Sequence, residues 1–205
     1  MNVYVESNFV LEHALQQEES QNCSDIIRLA SHGQIRLLIP AFSLAEPHQA
    51  ISAKAKVRSR VGEELRQHLS ELARSKPHRQ IPVTFDALSA VLIESAQLER
   101  EGLKQTVTQV LAISEVIPLT AAVLRSAAEI ETDLGLSGQD AIVLASVFGH
   151  LESEAPTESC FLNRNTRDFD DPDIRDRLEA LHCKFFPKFA QALEYIESRI
   201  RQGNS

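Results

Sequence analysis

Four acidic residues stand where a sequence could place chemistry. Glu6 ends the short apolar run "VYV" and is followed by Ser7 and Asn8. Glu46 lies in "PAFSLAEP", just after a second apolar run. Asp140 opens the apolar stretch "DAIVLA", and Asp168 follows the run "SCFLN" in "RNTRDFDDPD". Carboxylates gathered at one place repel one another, by roughly 4 kcal/mol for two charges about 4 Å apart at an effective dielectric near 20. Such a cluster either raises pKa values or recruits cations. Hard ions such as Mg²⁺ and Mn²⁺ prefer oxygen ligands, and a pair of them can clamp an in-line phosphodiester displacement. Asn8 lies close in sequence to Glu6, and Asn163 and Asn165 lie close to Asp168, so all three could stand beside the acids.

Each acid also has a local reading. Ser137 and Asp140 form an S-x-x-D capping box before an apolar run, and Ser43 and Glu46 repeat the pattern. Pro47 compromises the second box, because proline disfavours helical backbone in the residue before it. Glu6 also reads as a surface acid at a strand end, and Asp170, Asp171 and Asp173 compete with Asp168. The set weighs against independent caps, which have no reason to recur at the same end of successive α/β units.

The elements that must position these residues alternate. Strands are expected at 2–6, 35–40, 115–119, 159–163 and 183–186, with helices at 7–17, 24–32, 121–134, 137–150 and from about 187. Ser24, Thr120 and Ser137 read as N-caps, and Gly33 and Gly135 as stops. Residues 164–173 read as a polar loop, followed by a helix to about 182. Between the second and third strands, helix-prone sequence runs from about 43 through the seventies and again over 84–114, broken by Pro77 and Pro82. Leu88, Leu92, Val107, Val110 and Leu111 recur there at helical spacing, as core or a dimer face. Alternation of this kind predicts a three-layer α/β/α domain with a central parallel sheet. It is a single domain over residues 1–205, with a helical insertion at about 48–114. In open sheets of this type, sites form beyond the carboxyl ends of the strands.

Composition narrows the function classes. A net charge of -8 excludes a wholly basic nucleic-acid binder, and the absence of Trp argues against base stacking as the main binding device. One segment runs against the overall charge. Residues 54–79 hold eight Lys or Arg against three Glu, which reads as phosphate contact or, more simply, as a solvated helix with ion pairs such as Glu71–Arg74. Arg164 and Arg167 flank the acidic set and are the stronger substrate candidates, unless they pair with neighbouring Asp. Cys23, Cys160 and Cys183 fit neither a zinc spacing nor a disulfide framework and read as buried thiols in a reducing cytoplasm. The histidines are dispersed in surface or core roles. No apolar run is long enough for a membrane span, the N-terminus lacks a signal-peptide plan, and no G-x-S-x-G, P-loop or H-E-x-x-H occurs.

With the four acids in this order, the sequence resembles the PIN-domain family of metal-dependent nucleases, which includes the toxins of VapBC toxin–antitoxin pairs. The matching segments are Glu6-Ser7-Asn8 after the first strand, Glu46 after the second, Asp140 in "DAIVLA", and "NRNTRDF" after the penultimate strand. Glu6 stands where the family usually has Asp, Asn163 where it has Thr or Ser, and the stretch between Glu46 and Asp140 is longer than in compact toxins. The resemblance implies a divalent-metal-dependent endoribonuclease using Mg²⁺ or Mn²⁺. Glu6, Glu46, Asp140 and Asp168 would hold metal, and Asn8, Asn165, Arg164 and Arg167 would orient ligands or substrate. It also implies RNA as substrate, an antitoxin-like protein partner and a homodimer. A second reading is a PIN-fold RNA- or protein-binding module with little or no catalysis. A third is an unrelated α/β protein whose acids are only caps.

Overall fold

The computed structural model describes residues 1–78 and 81–203, with the side chains of 81–89 left outside the description. Five strands, β1 (Asn2–Val5), β2 (Arg36–Pro40), β3 (Ser114–Ile117), β4 (Ser159–Leu162) and β5 (Cys183–Phe186), form one sheet in the order β3-β2-β1-β4-β5. All four pairings are parallel. The chain builds outward from β1 through β2 to β3, then returns to the other side of β1 for β4 and β5. The switch point therefore lies between β1 and β4, and a crevice opens there beyond their carboxyl ends.

Side chains alternate across each strand, which explains why short apolar runs serve as strands here. Val3, Val5, Leu37, Ile39, Cys160 and Leu162 enter one core, beneath α1 (Ser7–Ala14), α2 (Ser20–Ser31), α4 (Ile81–Ile113) and α9 (Phe189–Gly203). Tyr4, Leu38 and Phe161 enter the other, beneath α5 (Ala121–Leu134), α6 (Gly138–Glu154) and α8 (Pro172–Ala180). The expected three-layer α/β/α architecture is the one observed. The three cysteines are buried and unpaired.

Between β2 and β3 the chain runs out along α3 (Ala41–Leu72) and back along α4. At the base of this hairpin Gly102 lies against α1, where a Cβ would collide with the carbonyl oxygen of Ala14. Gly102→Ala is therefore expected to lose about 1–3 kcal/mol of stability through forced displacement of backbone, readable as a lower midpoint in urea denaturation. A midpoint equal to wild type would show that the two helices can separate freely.

Several local expectations need correction. The second helix begins at Ser20, so Ser24 is not its N-cap; its hydroxyl instead donates to the Ser20 carbonyl within the helix. Residues 164–173 are not a continuous loop. They contain the short helix α7 (Thr166–Phe169) and the start of α8, capped by the Asp171 side chain on the Asp173 amide. Val110 is buried in the core, but Leu111 is half exposed because it lies on the next position round the helix. Pro82 stands at the second position of α4 and does not break it, while its side chain, that of Leu88, and Arg79 lie outside the description. On the basic stretch, Arg58 pairs with Glu99 and Arg66 with Glu63. His13 contacts Thr106, and His150 contacts Tyr4 and Glu115.

Candidate functional site

Glu6 follows β1 directly, in extended backbone that precedes the first turn of α1. The short strand and immediate helix leave its side chain at the carboxyl end of the sheet, where it is only 4% exposed. Burial pushes its carboxyl up to about 7, with the charge of Glu46 acting in the same direction; hydrogen bonds from Ser7 and Asn8 oppose the shift. Oε2 accepts the Ser7 hydroxyl at 2.8 Å, while Oε1 is buried with no partner.

Glu46 arrives from the other side on α3. The helix starts at Ala41, so Glu46 sits in its second turn and the Ser43–Glu46 pair is not a terminal capping box. Pro47 stays inside the helix and cannot donate to the Ser43 carbonyl. The Glu46 carboxylate reaches Ser7, whose Oγ lies 2.5 Å from Oε2. A serine hydroxyl carries one proton and cannot donate to both carboxylates at once. The Glu6–Ser7–Glu46 bridge is complete only when one further proton is shared within it, in keeping with the raised carboxyl of Glu6.

Asp140 lies in the first turn of α6. Ser137 caps that helix by accepting from the Asp140 amide at 3.2 Å and donates its hydroxyl to Asp140 Oδ2 at 2.6 Å. The capping arrangement is thus real, and it leaves Oδ1 facing Asn165, whose Nδ2 approaches to 3.4 Å. The same Nδ2 donates to Asp168 Oδ2 at 2.8 Å. Asn163, at the end of β4, accepts from the Asn165 amide at 2.8 Å and from Asn8 Nδ2 at 3.4 Å. This asparagine stitches the β4 end to α1 across the switch point.

A cavity of about 450 Å³ is lined by Glu6, Ser7, Asn8, Glu46, Gln139, Asp140, Val143, Arg164 and Asn165. Asp168 does not line it and reaches it only through Asn165. Arg167 is exposed on α7 and lies outside the lining. Arg164 lines the cavity but is engaged behind it, by Glu12 and, at 3.9 Å, by Glu19. It pairs with acids remote in sequence and not with the neighbouring Asp residues. Ser7, Gln139 and Glu12 join the site only in the fold. Ser7 stands in the Glu6-Ser7-Asn8 segment, whereas Glu12 lies in an amphipathic helix with no distinguishing local signal.

The donor set is wholly hard oxygen, and Glu6 Oε1 is a buried acceptor with no hydrogen-bond partner among the described residues, so the residues fit a hard divalent cation in kind. Their carboxylates are meanwhile committed to Ser7, Ser137 and Asn165. Among the described residues no three His, Cys, Asp or Glu side chains stand ready around one point. Binding would exchange those hydrogen bonds for metal–oxygen bonds. Among the described residues no helix is long and apolar enough to cross a membrane.

Comparison with curated proteins yields no match. Among solved structures, the chain is similar to VapBC2 from Rickettsia felis bound to a DNA fragment from their promoter. The two share 13% identity over 91% of this chain and 99% of that one, with a TM-score of 0.47. The family model for the PIN domain matches residues 3–169, which takes in β1 through α7 and every residue of the cavity. The chain therefore belongs to the PIN-domain family.

Proposed function

We propose that this protein is a divalent-metal-dependent endoribonuclease that hydrolyses RNA phosphodiester bonds. The observation that carries the reading is Glu6. A carboxyl group 4% exposed, with an unpartnered oxygen, at the carboxyl end of the central strand and across a cavity from Asp140, is costly for folding alone. Perturbed groups of this kind in a cleft mark functional sites.

Glu6, Glu46 and Asp140, which line the cavity, would hold Mg²⁺ or Mn²⁺, with Asp168 joining them where Asn165 gives way. The bound ion supplies an activated water and charge stabilisation at the scissile phosphate. The chain's own residues do the rest. Ser7 spaces Glu6 from Glu46 and holds the proton between them until it is displaced. Asn165 orients Asp140 and Asp168 from a loop pinned by Asn163. Asn8 and Gln139 present amide groups suited to phosphate or sugar oxygens. Arg167, exposed on α7, would offer a cation to the phosphate backbone. Such an enzyme would work in the reducing cytoplasm, and a toxin-like role would come with an antitoxin-like protein partner.

The test is cleavage of a mixed structured RNA pool by purified protein in Mn²⁺, Mg²⁺ or EDTA, beside Asp140→Asn. Metal-dependent cutting should fall roughly 100-fold or more in the variant, because one ligand of a positioned centre is lost. Its fold should survive, since Asn retains the cap contact with Ser137. Cutting that persists in the variant would remove Asp140 from the chemistry. A second reading, a binding module without turnover, is favoured by one observation: the acids are hydrogen-bonded to neighbours and not gathered. It predicts RNA retention without cleavage in any metal.

A further inference from the structure

Most polar side chains around the cavity already have a partner inside the protein. Ser7 bridges Glu6 and Glu46, and Asp140 holds Ser137. Asn165 donates to Asp168 at 2.8 Å, and Asn8 approaches Asn163 at 3.4 Å. Arg164 is held by Glu12. Gln139 differs from them all. It lines the cavity, it is exposed, and its side-chain amide has no hydrogen-bond partner among the described residues. A group bound at this wall can take that amide without breaking a bond of the fold. Val143 adjoins it, because residues four apart on α6 lie on one side of the helix. Val143 is buried at the wall and is the one apolar residue of the lining. An amide beside an apolar side chain suits a group with a carbon face and a hydroxyl edge.

We propose that Gln139 is the specificity-determining residue for ribose. Its amide takes the 2′-hydroxyl of the nucleotide at the scissile phosphate, with the carbon face of the sugar on Val143. The inference rests on the reading that RNA occupies this cavity. Gln139 precedes Asp140 in the chain, so their Cα atoms stand about 3.8 Å apart. Asp140 would hold the ion at the scissile phosphate, and the sugar is the part of the nucleotide bonded directly to that phosphate. The base lies one sugar further out. A primary amide offers two N–H donors and a carbonyl acceptor, and a 2′-hydroxyl both donates and accepts. A phosphate oxygen only accepts, and would leave the carbonyl of Gln139 unused. Because Gln139 is exposed, a deoxyribose leaves its amide in water and not stranded in the interior. Discrimination against DNA is therefore that of one net hydrogen bond, and not the large factor of a buried group left unpaired.

The experiment compares a short fluorescein-labelled single-stranded RNA with the DNA of the same sequence, for wild type and Gln139→Ala. Binding is read by fluorescence anisotropy in Ca²⁺, a hard ion that oxygen sites accept with looser geometry. Cleavage is read as kcat/KM in Mn²⁺. Wild type should bind RNA more tightly than DNA by roughly fivefold, the worth of one net hydrogen bond. Gln139→Ala should bind the two alike, with RNA falling to the DNA level and DNA unmoved. A disturbed fold would weaken both nucleic acids together, and only loss of a 2′-hydroxyl contact moves their ratio. Equal affinity of wild type for RNA and DNA overturns the proposal. So does an RNA preference that survives in Gln139→Ala, or a folded protein that binds no RNA. The cleavage arm separates this contact from the nuclease reading. A binding preference lost in Gln139→Ala, with no cutting by wild type in Mn²⁺, upholds the contact and sinks the nuclease. Cutting of RNA and DNA at equal rates upholds the nuclease and sinks the contact.

Discussion

Glu6→Gln should melt higher than wild type at pH 8 and lose metal-dependent cleavage. The carboxyl of Glu6 titrates at about 7 in the folded chain, against an ordinary value of 4.5, chiefly because it is buried. The native state therefore holds this proton more tightly than the unfolded chain does. The resulting stabilisation is fully present below about 4.5 and is lost as pH rises through about 7. Above that range the ionised group costs about 3 kcal/mol relative to a neutral one. Glutamine keeps the shape and cannot ionise. In EDTA the two proteins should melt together near pH 4.5 and separate by roughly 6–12 °C at pH 8. Cleavage in Mn²⁺ should drop to background across the range, the usual trade of stability for a charged site. A variant that melts below wild type at pH 8 would show that the Glu6 charge is held by favourable contacts and not merely tolerated.

The second large effect concerns a residue that local sequence cast as a substrate ligand. Arg164 reaches back to Glu12, which is 1% exposed and also accepts the Glu19 amide at 2.6 Å. Glu19 in turn accepts the amides of Phe189 and Ala190 at the start of α9. One guanidinium thus ties the β4–α7 segment to α1 and, through Glu19, to the last helix. Arg164→Ala strands a buried carboxylate with a single remaining donor. The cost should be about 3–5 kcal/mol, or roughly 10 °C in melting temperature. Glu12→Gln should cost clearly less, because the released guanidinium is already partly exposed and can turn to water. Adding Glu12→Gln to Arg164→Ala should recover part of the loss, since the stranded charge is gone. Thermal denaturation of the three variants measures this. An Arg164→Ala protein that melts like wild type would return Arg164 to the role of a free substrate contact.

Much of the architecture was written in local pattern. Apolar runs of four or five residues, separated by amphipathic helices, permit little but a parallel sheet covered on both sides. Thr120, Gly135 and Ser137 act where they stand, because a cap needs only backbone groups within three or four residues. The loop from 164 to 173 misled because its short helix rests on Phe169, a single aromatic buried against Phe161. No periodicity announces one such anchor. Ser24 misled because cap chemistry and an ordinary helical serine look alike until the helix start is known.

The sequence by itself determined the kinds of residue available to the site and the strand ends that carry them. Glu6, Glu46, Asp140 and Asn165 are each placed by a nearby element whose pattern is local. Tertiary structure alone decided which groups meet, because that depends on side chains brought together from positions far apart in the chain. It set Ser7 between two glutamates 40 residues apart in numbering, and it tied Arg164, on the cavity wall, to Glu12, 152 residues away. It left Asp168 behind Asn165 and set Gln139 on the cavity wall. Charge, burial and the number of protons a hydroxyl can give are properties of those meetings, and no single segment contains them.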